Sequence, residues 1–143
     1  MKIQLQAGVS ATIAVPEKTS LNTIFPGVTL LPGGELLAIY TVGSDFESAD
    51  QLPYYSLSSD AGQHWTPGKP LFPEIRLPSG GLFSCCCKPT LFGDRVLAVG
   101  YGFERDDLTL TLSDYATRFG RFPKCRNFVC FSETGKGAWS GPQ

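Results

Sequence analysis

The stretch that most constrains this chain is Ser58-Ser59-Asp60-Ala61-Gly62-Gln63-His64-Trp65, which follows the β-forming run Tyr54-Tyr55-Ser56-Leu57. Each residue type has a physical job in a tight turn. The oxygens of Ser58 and Asp60 can accept from nearby backbone N–H groups, as in Ser- and Asx-turns. Gly62 can take a positive φ without a Cβ clash. Trp65 opens the next segment and is large enough to anchor the turn against an apolar layer. The pattern S-x-D-x-G-x-x-W therefore predicts a hairpin between two antiparallel strands.

The rest of the composition points the same way. Charged residues are 17% of the 143, against about 25% in an average globular protein, so exposed Lys/Glu-rich helix faces are scarce. Sixteen Gly and eleven Pro supply turns without low complexity. An all-β domain is expected. A net charge of −1 with no basic run leaves no nucleic-acid footprint. Gln4, Gln6, Ser10 and Thr12 interrupt any apolar leader, so no signal peptide is expected, and no apolar run approaches the ~20 residues of a membrane span. Five cysteines, three of them consecutive at Cys85, Cys86 and Cys87, show no disulfide framework spacing and fit a reducing, cytoplasmic location. They also lack zinc-ligand spacing. His64 is the sole histidine, so no metal site and no Ser-His-Asp or Cys-His pair is expected. No glycine-rich nucleotide motif is present, so no cofactor is expected.

Along the chain, residues 1–15 read as one or two short strands ended by Pro16. Phe25–Leu31 reads as a strand turned by Pro32-Gly33-Gly34. Leu36–Val42 is nearly continuously apolar, as for a strand buried on both faces. Gly43–Pro53 is a loop carrying Asp45, Glu47 and Asp50, and Tyr54–Leu57 is the next strand. The fourth, from His64-Trp65, is expected to be short and at an edge because of Pro67, Gly68 and Pro70. The second half repeats this plan. Leu31–Ile39 matches Leu91–Val99 sixty residues on, and Ser132–Trp139 echoes Ser58–Trp65, keeping Ser and Trp but carrying Thr134 for Asp and Lys136 for Gly. The simpler alternative is two unrelated β-meanders that share a Leu-Leu-Ala phrase. No convincing helical period appears; Asp114–Phe119 could form one turn.

The Ser58–Trp65 pattern and the repeat resemble the Asp-box, or BNR repeat, of the sialidase-like superfamily. The resemblance covers most of residues 24–143. It implies about two four-stranded antiparallel blades, at about 24–75 and 84–143, of a six-bladed β-propeller, hence a partial chain with open blade edges able to self-associate. In that family Ser58, Asp60, Gly62 and Trp65 would be structural. The activity implied is removal of terminal sialic acid from glycoconjugates, using three arginines that hold the substrate carboxylate, a Tyr nucleophile polarised by a Glu, and an Asp acid/base. Ile24-Phe25-Pro26 stands where the family has Arg-Ile-Pro, so Ile24 replaces the first arginine. Asp45 and Asp50 lie in the loop of the acid/base and both remain candidates for it. Arg105, beside Glu104, is the candidate substrate-binding arginine. The simpler readings are solvated loop carboxylates for Asp45 and Asp50, and an ion pair with Glu104, Asp106 or Asp107 for Arg105. The later blades that would supply the Tyr–Glu pair and the remaining arginines are absent, so no sialoside turnover is expected from this chain alone. The partner would be a sialylated glycan or another carbohydrate. The alternative is a non-catalytic propeller fragment that binds carbohydrate or protein.

Overall fold

The computed structural model describes residues 21–143. The expected strands over 1–15 lie outside that range. The fold grows from β2 (Leu36–Gly43), whose sequence LLAIYTVG has almost no polar residue to present to water. Leu37 and Ile39 point to one side and Ala38, Tyr40 and Val42 to the other, and all five are buried. Such a strand must be central. It pairs antiparallel with β1 (Asn22–Leu30) on one flank and β3 (Leu52–Ser58) on the other, and β3 pairs with the two-residue β4 (Lys69–Pro70). A bulge interrupts β1 between Ile24 and Gly27, where Phe25 takes φ 54° and Pro26 has no N–H to give the ladder.

A second antiparallel sheet follows, in the order β5 (Leu82–Phe92), β6 (Arg95–Arg105) and β7 (Cys125–Ser132). The helix α1 (Leu112–Phe119) lies in the connection between β6 and β7. The two sheets meet in one apolar layer. Leu37, Ile39 and Tyr55 of the first pack with Cys85, Cys87, Ala98 and Cys130 of the second. The cysteine triplet alternates as a strand requires, with Cys85 and Cys87 buried in this layer and Cys86 half-buried on the other face.

The chain is thus mostly β, with two antiparallel sheets, but it departs from the expected pair of four-stranded blades. The second sheet has three strands among the described residues, and these residues form no closed ring or barrel. The fourth strand does not begin at Trp65. Thr66 N donates to Leu57 O (2.8 Å) and Leu57 N donates to Thr66 Oγ1 (2.9 Å), after which Pro67 has no N–H to continue the ladder. The helix is two turns long, not one. Thr111 caps its start by accepting from Asp114 N at 3.0 Å, and Gly120 ends it in the left-handed region at φ 67°. None of its residues is fully buried, yet Leu112, Tyr115, Ala116 and Phe119 recur at i, i+3, i+4 and i+7 as one apolar stripe, a helical period that the sequence carried over two turns only.

The Ser58–Trp65 turn is held by its own side chains. Gly62 N donates to Ser58 Oγ (2.9 Å), Ser58 Oγ donates to Asp60 Oδ1 (2.8 Å), and His64 N donates to the same oxygen (2.9 Å). His64 Nδ1 lies 2.6 Å from Asp60 Oδ2, and Trp65 Nε1 donates to Gly62 O at 3.0 Å. Ala61 and Gly62 take successive positive φ values of 58° and 90°. The Trp65 ring packs half-buried on the Ala38–Tyr40–Val42 cluster. In the echo at Ser132, Gly135 N donates to Ser132 Oγ (3.0 Å) and that hydroxyl donates to Gly137 O (2.7 Å). Trp139 there packs against Tyr55, ring centres 6.2 Å apart, in the main core.

These bonds give the turn a pH signature. The backbone N–H of His64, its ring and the Ser58 hydroxyl hold the Asp60 carboxyl down at about 2. A depressed folded-state value means that the contribution is complete above the ordinary carboxylate range. It is lost as pH falls from 3.8 through about 2. In urea melts across that window, the stability gap between wild type and Asp60→Asn is expected to be constant near neutrality and to close toward the acid end. A gap unchanged down to about pH 2 would show that the carboxylate does not hold the turn.

Candidate functional site

The β2–β3 loop (residues 44–51) and the β6–β7 connection (106–124) lie at the same end of the sheets as the starts of β1 and β5. Acidic residues gather there, and most of them brace backbone. Asp45 Oδ1 accepts from Phe46 N (2.7 Å) and from Asn22 Nδ2 (3.3 Å). Asp50 accepts from Ser44 N (3.0 Å), Ser44 Oγ (3.0 Å) and Ser48 Oγ (2.6 Å). Partial burial opposes its ionisation, but the Ser48 and Ser44 bonds outweigh that and hold it below the ordinary carboxylate range. A glycosidic acid needs the opposite shift, toward neutrality.

Arg105 is 1% exposed and bonds no carboxylate. Its guanidinium donates to the carbonyls of Glu47 (3.0 Å) and Ser48 (3.4 Å) in one loop and of Leu110 in the other. Glu47, at φ 61°, reaches the start of α1, where its Oε2 accepts from Ser113 N (3.1 Å) and Ser113 Oγ (2.6 Å). That placement suits the positive end of the helix dipole. The acids foreseen as partners of Arg105 are engaged elsewhere. Glu104 bonds Arg126 (2.5 Å) and lies 3.7 Å from Lys124; Asp106 accepts from Ser79 Oγ (2.5 Å), and Asp107 from Thr109 N (3.0 Å).

Two clefts open at this end, and residues of these loops line only one of them. The smaller, about 70 Å³, is lined by Phe25, Glu47, Cys86, Tyr101, Phe103 and Leu112 among others. It gathers both Phe25 and Glu47, two of the four non-glycine residues at positive φ among the described residues. The larger is about 420 Å³, within the usual range of small-molecule sites. Ile75, Leu77, Phe83 and Phe128 give it an apolar floor, and Arg76, Glu104, Arg126 and Asn127 supply polar groups. The Phe83 and Phe128 rings meet edge to face at 6.0 Å, which fixes the floor. Asp45, Asp50 and Arg105 line neither cleft; Asp50 lines a separate recess of about 30 Å³ with Glu74.

The sequence reading named Glu104 only as a neighbour of Arg105 and did not single out Arg126, Phe83 or Phe128. On β6 the alternation sends Glu104 and Arg105 to opposite faces, and the former enters the cleft. The pairing of β7 with β6 brings Arg126 beside it, opposite Gly102. No signal short of that register could have joined them. Thiol chemistry has no foothold in the core: burial pushes Cys85 and Cys87 far up, and Cys130 to about 12, which keeps them protonated. Among the described residues, no cluster of three His, Cys, Asp or Glu side chains could hold a metal.

No protein-family model matches the chain, and no curated protein matches it. Among solved structures, the fold is similar to Zg3597, a family 117 glycoside hydrolase produced by the marine bacterium Zobellia galactanivorans. The TM-score is 0.63, the identity 13%, and the match covers 92% of this chain and 43% of that one. The chain therefore spans less than half the length of the enzyme it resembles. This finding overturns the sialidase expectation: the glycoside hydrolase that the fold resembles belongs to family 117, and the Ser58–Trp65 turn alone does not identify a sialidase. At this identity the likeness is one of fold: nearly the whole chain is built like somewhat under half of a family 117 glycoside hydrolase.

Proposed function

We propose that this chain is a segment of a carbohydrate-active protein of glycoside-hydrolase type, and that its large cleft receives part of an oligosaccharide. In this reading its two sheets are successive units of one domain, at about 24–75 and 84–143. The observation that carries the reading is the fold likeness over 92% of the chain to a family 117 glycoside hydrolase. The cleft's chemistry supports it. A sugar ring has apolar C–H faces and a polar rim. Phe83 and Phe128 offer rings to the former, while Asn127, Arg126 and Glu104 offer donors and acceptors to the hydroxyls. Glu104 is the one acidic side chain among the described residues lining this cleft. Hydrolysis by the common route needs two carboxyl groups flanking the bond, so the cleft on this chain binds and orients, and turnover requires a second acid from elsewhere.

The test is a two-dimensional NMR titration of the chain with a panel of neutral, uronic-acid and sulfated oligosaccharides. At least one class is expected to shift the amides of Phe83, Asn127 and Phe128. Arg126→Ala, at an exposed side chain, and Phe83→Ala should each weaken that binding by roughly tenfold, about 1.4 kcal/mol. No shifts from any class, or shifts confined to other surfaces, would sink the reading.

A further inference from the structure

The hydrogen-bonding capacity of the large cleft is lopsided. Among the described residues, its lining holds two guanidinium groups, Arg76 and Arg126, and one acidic side chain, Glu104. Arg76 is set there by the isolated bridge that it forms with Leu82, and Arg126 by its pairing with Gly102 on β6. Each guanidinium is only partly engaged. Arg76 Nη2 donates to Glu74 Oε1 (2.7 Å), an acid that stands outside the lining. Arg126 directs both Nε (2.5 Å) and Nη2 at a single oxygen, Glu104 Oε1. Lys124 Nζ lies 3.7 Å from that same oxygen, so Glu104 already faces two cations. The other N–H groups of both guanidiniums have no protein partner among the described residues, and the two side chains are 69% and 58% exposed. An arginine can only donate. The unused capacity of the cleft is therefore mostly positively charged donors, beside the aromatic floor of Phe83 and Phe128.

Resting on the carbohydrate reading above, we propose that the oligosaccharide taken by this cleft is an acidic one, whose rings bear carboxylate or sulfate groups. A neutral sugar presents hydroxyls, each of them donor and acceptor at once, and has no special use for a surplus of donors. A carboxylate or sulfate only accepts, and its paired oxygens match the fork of a guanidinium. Arg76 and Arg126 hold the acidic groups at the rim, while the C–H faces of the rings lie on Phe83 and Phe128. Glu104 works against this ligand in two ways. Its charge repels the acidic groups, and its bonds to Arg126 compete with them. The sign of its effect follows: neutralising Glu104 strengthens the binding of an acidic sugar and leaves that of a neutral sugar nearly as it was.

The test uses two matched pairs in which only the acidic group differs. One is tetragalacturonate with its full methyl ester, the other a sulfated galactan tetrasaccharide with its desulfated form. Kd is read by calorimetry on the whole chain, with amide shifts at Phe83, Asn127 and Phe128 locating the contact. At least one acid is expected to bind roughly tenfold or more tightly than its neutral twin, and the pair with the larger gap names the acidic group. The gap should shrink as salt is raised. Arg76→Gln and Arg126→Gln, at exposed side chains and with unchanged circular dichroism spectra, should each remove most of the gap and change the neutral forms little. Glu104→Gln should widen it severalfold. Neutral forms that bind as tightly as their acids would overturn the proposal and leave the carbohydrate reading standing. No binding by any of the four would sink that reading, and the proposal with it. A gap that survives both arginine variants, or that Glu104→Gln narrows, would also overturn the proposal, because the preference would then arise outside this cleft.

Discussion

Arg105→Met is expected to destabilise the fold by roughly 3 kcal/mol or more, the largest loss of any single side chain at the acidic end. The guanidinium is 1% exposed and donates to three carbonyls, those of Glu47 and Ser48 in one loop and Leu110 in the other. Methionine fills much of the volume of the stem, so the main effect is a charged donor lost from three half-buried carbonyls, of which Glu47 O keeps Leu112 N and Ser48 O keeps Ser84 Oγ (3.0 Å). Each such loss costs about 1–3 kcal/mol, reduced where loops relax to admit water. The loops 44–51 and 106–124 should loosen together, visible as faster amide exchange at Leu112, whose N–H donates to Glu47 O (3.3 Å), and at Ser113. Arg105→Lys should recover only part of the loss, because one ammonium cannot fork across two loops. A loss below about 1 kcal/mol in urea melts of Arg105→Met would mean that the loops hold each other without it.

That arginine also shows where the sequence stops being legible. Its type and its loop-end position are compatible with a carboxylate-binding role, and beside Glu104, Asp106 and Asp107 it reads equally as an exposed ion pair. Only the packing of β6 behind the 44–51 loop turns it inward onto carbonyls, a tertiary fact with no local signature. Features whose physics is local were readable. The apolar run of β2 required a central strand, and the cysteine triplet required alternating faces. The turn at Ser58–Trp65 closes through its own side chains. The helix α1 was underestimated although Leu112, Tyr115, Ala116 and Phe119 stand at helical spacing, because two turns give that period little length in which to show. The large cleft was invisible because Phe83, Glu104, Arg126 and Phe128 come from three strands and meet only through register. The sialidase reading failed for a related reason. A turn pattern reports how a hairpin closes and says little about the chemistry at the opposite end of the sheet.

The second large effect is expected at Gly100, where even alanine should destabilise the fold by about 3 kcal/mol or more. Gly100 lies on β6 opposite Cys87 on one side and Phe128 on the other. A Cβ there would fall inside contact distance of the Cys86 carbonyl oxygen and stand 2.5 Å from Cys87 Cβ and 2.8 Å from its Cα. The first and last of these are backbone atoms of the paired strand, so no rotamer change relieves the overlap. Relief requires β5 to move away from β6. But β5 also carries Cys85 and Cys87 into the layer shared with Leu37 and Ile39, so a shift that spares the ladder opens the core between the sheets. Gly33→Ala serves as the control. A Cβ there meets only the tips of Glu35 and Lys136, at 3.6 and 3.9 Å, and its φ is not in the left-handed region. Its melt should match wild type to within about 0.5 kcal/mol. Equal behaviour of the two alanine variants would show that the β5–β6 pair tolerates separation, and hence that the sheet interface does not fix the position of β5.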